Sequence, residues 1–210
     1  RNPNPYDGEP YYNLGCCLKF QSKFDDAYRA FYKSAWNAEW KDPAYFSIAQ
    51  IDCMAGNWHT ALEHTEQSLI RNWHNHKARQ LKASLLRITG RTEKALKWIE
   101  ESLEIDKFNI GCLFEKWLLL KKEEIKNEII EILQGNEHNY LEYALDFMAA
   151  GLYNEARELL EWSLSTDAGN YPLIWYALGH SHQLSGNISE AQRVYGRAFE
   201  KSPDRCFPNR

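Results

Sequence analysis

The side chains able to do chemistry are few and poorly spaced for it. Histidines form two i, i+2 pairs, His74 with His76 and His180 with His182. Residues two apart on a helix diverge by about 200°, so neither pair can share a metal at that spacing. There is no HExxH, and neither a metal nor a cofactor is expected; the histidines are expected in solvated loops or in a groove. Cys16, Cys17, Cys53, Cys112 and Cys206 make an odd set with no CxxC. That set fits neither a disulfide framework nor a zinc site, and it points to a reducing compartment, the cytoplasm. Cys16 and Cys17 are expected to be buried small hydrophobes, because no His and acid stand at a spacing that would activate a thiol. The segment is expected to be no enzyme.

Charge and hydropathy remove two partner classes. With 25 Lys and Arg against 29 Asp and Glu, there is no broad positive field for phosphate backbones, so no nucleic acid is expected. Apolar stretches such as Trp117 to Leu120 fall far short of the roughly 20 residues that span a bilayer, so no membrane is expected either. The run KKEEIKNE from Lys121 is expected to be a solvated helix face. Asn187, in a sequon-like Asn-Ile-Ser, is expected to cap a helix. A start at Arg1 and a stop just past Pro203 suggest a piece of a longer protein.

These residues are positioned by a repeat. Ala27, Ala61 and Ala95 are spaced by 34, and Ala156 and Ala191 stand in the same context after an irregular stretch. Five residues before each alanine comes a turn residue: Ser22, Gly56, Gly90, Gly151 and Gly186. A residue without a Cβ penalty in the left-handed region ends one helix and lets the next begin at a steep angle, which makes helical hairpins. Twelve before each alanine stand Gly15, Ala49, Ala83, Ala144 and Gly179, and seven after it Ser34, Ser68, Ser102, Ser163 and Ala198. All fifteen slots are Gly, Ala or Ser, as expected where helices approach closely. Phe31, Ile99, Leu160 and Tyr195 recur four after the alanine, and Leu69, Leu103, Leu164 and Phe199 eight after it, giving the second helix one apolar face.

With these residues the chain resembles the tetratricopeptide repeat family. Trp175, Leu178, Gly179, Ala191, Tyr195, Ala198 and Pro203 match its pattern in order and spacing, and Tyr11, Leu14, Gly15, Ala27 and Phe31 repeat most of it. The resemblance implies an all-α fold, a right-handed superhelical solenoid of antiparallel helix pairs. A single array of about six units is expected, near 8–41, 42–75, 76–108, 109–136, 137–170 and 171–204. The fourth is shortened: Ala95 to Ala156 is 61 residues, Trp117 fills its small slot, and helices are expected at 109–121 and 123–133. The opening RNPNPYDGEP and closing SPDRCFPNR resemble a stretch of large bacterial multi-domain proteins in which a β-sandwich precedes the repeats.

In this family the first helices line a concave groove that holds extended or helical partners. Carried over by slot, the groove would comprise Tyr12, Asn13, Lys19 and Phe20, then Phe46, Ser47 and Gln50, then Lys77, Gln80 and Arg87, with Tyr176, His180 and Gln183 from the last unit. Packing alone would equally account for Phe20, Phe46 and Tyr176. The family's clamp for chaperone-tail carboxylates resembles Lys and Asn, then Asn, then Lys and Arg. Here those slots hold Tyr12, Cys16, Ser47, Lys77 and Leu81, so chaperone-tail binding is not expected. The first expectation is a scaffold that binds a protein or peptide partner. The alternative is a non-catalytic repeat region of a larger carbohydrate-related protein. Self-association is a third possibility, because Val194 and Phe199 would lack a following repeat to cover them.

Overall fold

The computed structural model describes residues 7–203 and 206. It forms two compact units, Arg1–Leu119 and Leu120–Arg210, each described here by itself. The first contains α1 (Glu9–Phe20), α2 (Phe24–Ser34), α3 (Lys41–Met54), α4 (Trp58–Arg71), α5 (His76–Ile88), α6 (Thr92–Ile105) and α7 (Ile110–Leu120) up to Leu119. The second contains α8 (Glu123–Leu133), α9 (Glu137–Ala149), α10 (Tyr153–Ser163), α11 (Pro172–Leu184) and α12 (Ile188–Phe199). The described residues are helical with no strand, in the all-α arrangement of helix pairs that the period implies. In the shortened unit, α7 and α8 fall within a residue of their expected bounds. The opening and closing segments compared with multi-domain proteins lie partly outside the described residues.

Five turns share one geometry. Ser22, Gly56, Gly90, Gly151 and Gly186 all have positive φ, from 58° to 79°. In each, the next residue's N–H donates back to the fifth residue before it: Lys23 to Leu18, Asn57 to Asp52, Arg91 to Leu86, Leu152 to Phe147 and Asn187 to His182, all at 2.9 Å. This closes the orphan carbonyls of the first helix and aims the chain into the second. Ser22 is the one member carrying a Cβ, where the left-handed conformation costs an L-residue about 1 kcal/mol. Ser22→Gly is therefore expected to raise stability by up to about 1 kcal/mol, offset in part by a freer unfolded chain. A thermal melt checks the sign.

Past the turns, close approach decides composition. The repeat alanines and the small residues twelve before and seven after them are all buried. A Cβ on Gly15 would lie 2.6 Å from the Phe31 ring, and one on Gly179 would lie 2.6 Å from the Tyr195 ring. Three of the serines at the slot seven after the alanine also bond to the start of their partner helix. Ser34 Oγ donates to the Gly8 carbonyl at 2.8 Å, Ser68 Oγ to Asp42 Oδ1 at 2.5 Å, and Ser102 Oγ accepts from Arg79 Nε at 3.0 Å. Asp42 additionally accepts from Asn72 at 2.9 Å and Asn75 at 2.8 Å, which ties α3 to the loop before α5. Arg79 is fully buried between the rings of Trp73 and Trp98, at 4.7 and 4.1 Å.

Two expectations are corrected. Cys17 is exposed and Cys16 half-buried, whereas the equivalent positions two helices on, Ile51 and Leu85, are buried. No helix pair precedes α1 among the described residues to cover that face. Val194 is 1% exposed rather than open, because α12 packs against α11 within its own pair; Phe199 beside it is 85% exposed.

Candidate functional site

The first helices of the first unit meet through polar contacts at a fixed offset. Lys19 Nζ on α1 donates to Gln50 Oε1 on α3 at 2.7 Å, and Ser84 Oγ on α5 donates to Glu115 Oε1 on α7 at 2.7 Å. Both pairs are 31 residues apart, the offset that also seats Gln80 against Gly111, where a Cβ would collide with the amide of Gln80. Arg87 Nε donates to Glu115 Oε2 at 2.5 Å and its second nitrogen to Oε1 at 3.3 Å. Glu115 is completely buried, and the Arg87 side chain is 20% exposed.

The expected groove residues fall into two groups. Ser47, Gln50 and Gln80 are buried, with Ser47 Oγ donating to the Pro43 carbonyl at 2.9 Å. Tyr12 is half-buried against Phe31 and Trp40, with ring centroids 5.4 and 5.1 Å apart. Lys19, Phe46, Lys77 and Arg87 are half-buried, whereas Asn13 and Phe20 face solvent, Phe20 at 92%. In the second unit α9 packs against α11, and Tyr176, His180 and Gln183 are exposed on α11. There Gln183 Oε1 accepts from the Tyr195 hydroxyl at 2.8 Å, and the Tyr176 and Tyr195 rings lie 6.1 Å apart. Glu115 and Ser84 were absent from the expected set; the one sequence signal was a single acid inside the apolar helix IGCLFEKWLLL.

Burial holds the Lys19 ammonium down to about 8, from an ordinary 10.5. Between those values the unfolded chain binds the proton that the folded chain has released, so this group's contribution to stability rises with pH. Below about 8 both states are protonated and the folded state carries the full desolvation penalty. Lys19→Met removes that penalty, so its melting temperature relative to wild type is expected to fall steadily as pH is raised from 7 to 10. A difference independent of pH would show that Lys19 is solvated.

Helix pairs with glycine turns, small crossing residues and first helices bonded side by side define a helical-repeat fold. Residues 76–109, covering α5, α6 and the loop after them, match the tetratricopeptide repeat model. The described residues form an all-α array of helix pairs, and α5–α6 is the pair that resembles the tetratricopeptide repeat. Among solved structures, a tetratricopeptide repeat protein from Parabacteroides merdae is similar at 16% identity and a TM-score of 0.57, over 96% of this chain and 80% of that one. A thermophilic repeat protein from Thermus thermophilus is similar at 17% identity and 0.46, over 93% and 92%. YrrB, described as having an unusual peptide-binding site, is similar at 15% and 0.45, over 94% and 88%. At 16% identity the likeness to the Parabacteroides merdae protein is one of fold. No described helix is long and apolar enough to cross a membrane.

Proposed function

We propose that the first-helix face of the first unit docks a protein partner, as an extended or helical segment, and that the array works as a scaffold without chemistry of its own. The observation that carries this reading is Phe20, a phenylalanine almost wholly in solvent at the end of α1, two turns along the helix from the exposed amide of Asn13. Aromatic anchors of this kind supply most of the affinity of an interface, and a rigid bed lowers the ordering cost of binding. The bed here is held by Lys19–Gln50 and by Glu115 with Ser84 and Arg87. In this reading the thiols stay reduced and the array works in the cytoplasm.

Because Arg87 is tied to Glu115, its replacement perturbs the fold, so the test uses the exposed residues. Phe20→Ser with Asn13→Arg is expected to reduce partner capture by about tenfold or more, the loss of one anchor, with an unchanged melt. Undiminished capture by that variant would remove the reading.

A second reading, self-association through the C-terminal pair, is favoured by Phe199 at 85%, Ile188 at 52% and Leu184 at 46% exposure. It requires a mass that grows with concentration in sedimentation. A monomer at every concentration excludes it.

A further inference from the structure

The first and last helix pairs expose opposite halves of one contact that the chain makes internally. On α3, Ile48 and Ile51 are buried in a core cluster with Ala27, Phe31 and Ala35 of α2 and its C-cap. Their equivalents 34 positions earlier, on α1, are Leu14 and Cys17. Leu14 is 49% exposed and Cys17 faces solvent. On α12 the places of Ala27, Phe31 and Ala35 are taken by Ala191, Tyr195 and Phe199, and Phe199 is 85% exposed. α1 therefore carries the apolar face of an incoming first helix, and α12 carries the seat that such a helix takes.

The polar positions fit the same arrangement. Within the first unit, neighbouring first helices pair at an offset of 31 residues, as Lys19 with Gln50 and Ser84 with Glu115. Counted from the small residue of each helix, Ser84 is one after and Glu115 two before, whereas Lys19 is four after and Gln50 one after. The same places on α11 are His180 and Gln183, both exposed, and on an incoming α1 they would meet Asn13 and Cys16. None of these four is a carboxylate, ammonium or guanidinium, so closing the contact strands no such charge. By that offset Phe20 falls past Leu184, the end of α11, and stays open to a partner.

We propose that α1 of one copy of this chain stacks on α11 and α12 of a second copy, head to tail, with Leu14 set against Phe199. The pairing rests on the self-association reading above and names the second surface that it requires. A second copy is the occupant because each end presents the half that the other lacks, in the form already used between α2 and α3. A contact between unlike surfaces leaves one half open at either end, so it grows past a dimer.

Sedimentation of the whole chain, with two variants run alone and mixed, tests the pairing. Wild type is expected to exceed the mass of two copies as concentration rises. Leu14→Glu and Phe199→Glu, both at exposed positions and with unchanged melts, are each expected to stay at the mass of one copy. Leu14→Glu keeps an intact seat on α12 and Phe199→Glu an intact α1 face, so their equal mixture is expected to reach two copies and no more. With wild type associating, a mixture that stays monomeric, or Leu14→Glu associating as fully as wild type, would overturn head-to-tail stacking and leave self-association through another surface. Wild type stopping at two copies would overturn it in the same way. Wild type monomeric at every concentration would remove both readings.

Discussion

Replacing Arg87 with alanine is expected to destabilise the chain by about 3–5 kcal/mol, the cost of breaking a buried ion pair from one side. The magnitude follows from burial. Glu115 is completely inside, and its two oxygens take bonds from Arg87 Nε at 2.5 Å, the second guanidinium nitrogen at 3.3 Å and Ser84 at 2.7 Å. Without the guanidinium a carboxylate stays in a low-dielectric site, where it must either protonate or draw in water. The double variant Arg87→Ala with Glu115→Gln removes the charge as well, and is expected to recover at least half of the loss. Equal destabilisation by single and double variants in urea denaturation would mean that the effect is lost packing of the arginine stem rather than an orphaned charge.

One substitution, glycine to alanine, is expected to have opposite signs at two helical positions. At Gly15 the new methyl falls 2.6 Å from the ring of Phe31, which is itself 1% exposed and cannot swing away. Overpacking of that kind costs about 1–3 kcal/mol. Gly179, set against Tyr195 at the same distance, is expected to behave alike. At Gly196, in the middle of α12, an added Cβ meets nothing within 4 Å. There the alanine should stabilise by roughly 0.5–1 kcal/mol through helix propensity alone. Melting temperatures of Gly15→Ala and Gly196→Ala decide the matter. Shifts of the same sign would contradict the crossing geometry, and restoration of Gly15→Ala by Phe31→Leu would identify the ring as its cause.

How far the sequence reached depends on what kind of constraint each residue meets. Turn glycines and small slots were legible because positive φ and close helix approach exclude most side chains, leaving a mark in residue type. The hydrogen bonds of Ser34, Ser68 and Ser102 were not, since size alone placed serine beside alanine at that slot. The Arg87–Glu115 pair was hidden for another reason: a single acid inside an apolar helix carries no mark of its partner, although Ser84 and Glu115 keep the 31-residue offset of Lys19 and Gln50. Cys17 and Val194 were misplaced because periodicity tells which face a residue is on and not what covers that face. The expected groove residues lie on α1, α3, α5 and α11, and the depth of Gln50 and Gln80 comes from neighbouring first helices pressing together, which slot counting does not reveal.

Docking on the first-helix face is tested most directly by site-specific photo-crosslinking of the intact chain in its native lysate. Photoreactive residues at positions 13 and 20 are compared with one at Lys97, whose side chain is 81% exposed on α6. Positions 13 and 20 should yield a discrete adduct of one partner that position 97 does not form. Equal adducts at all three, or an adduct confined to position 97, would contradict docking on that face.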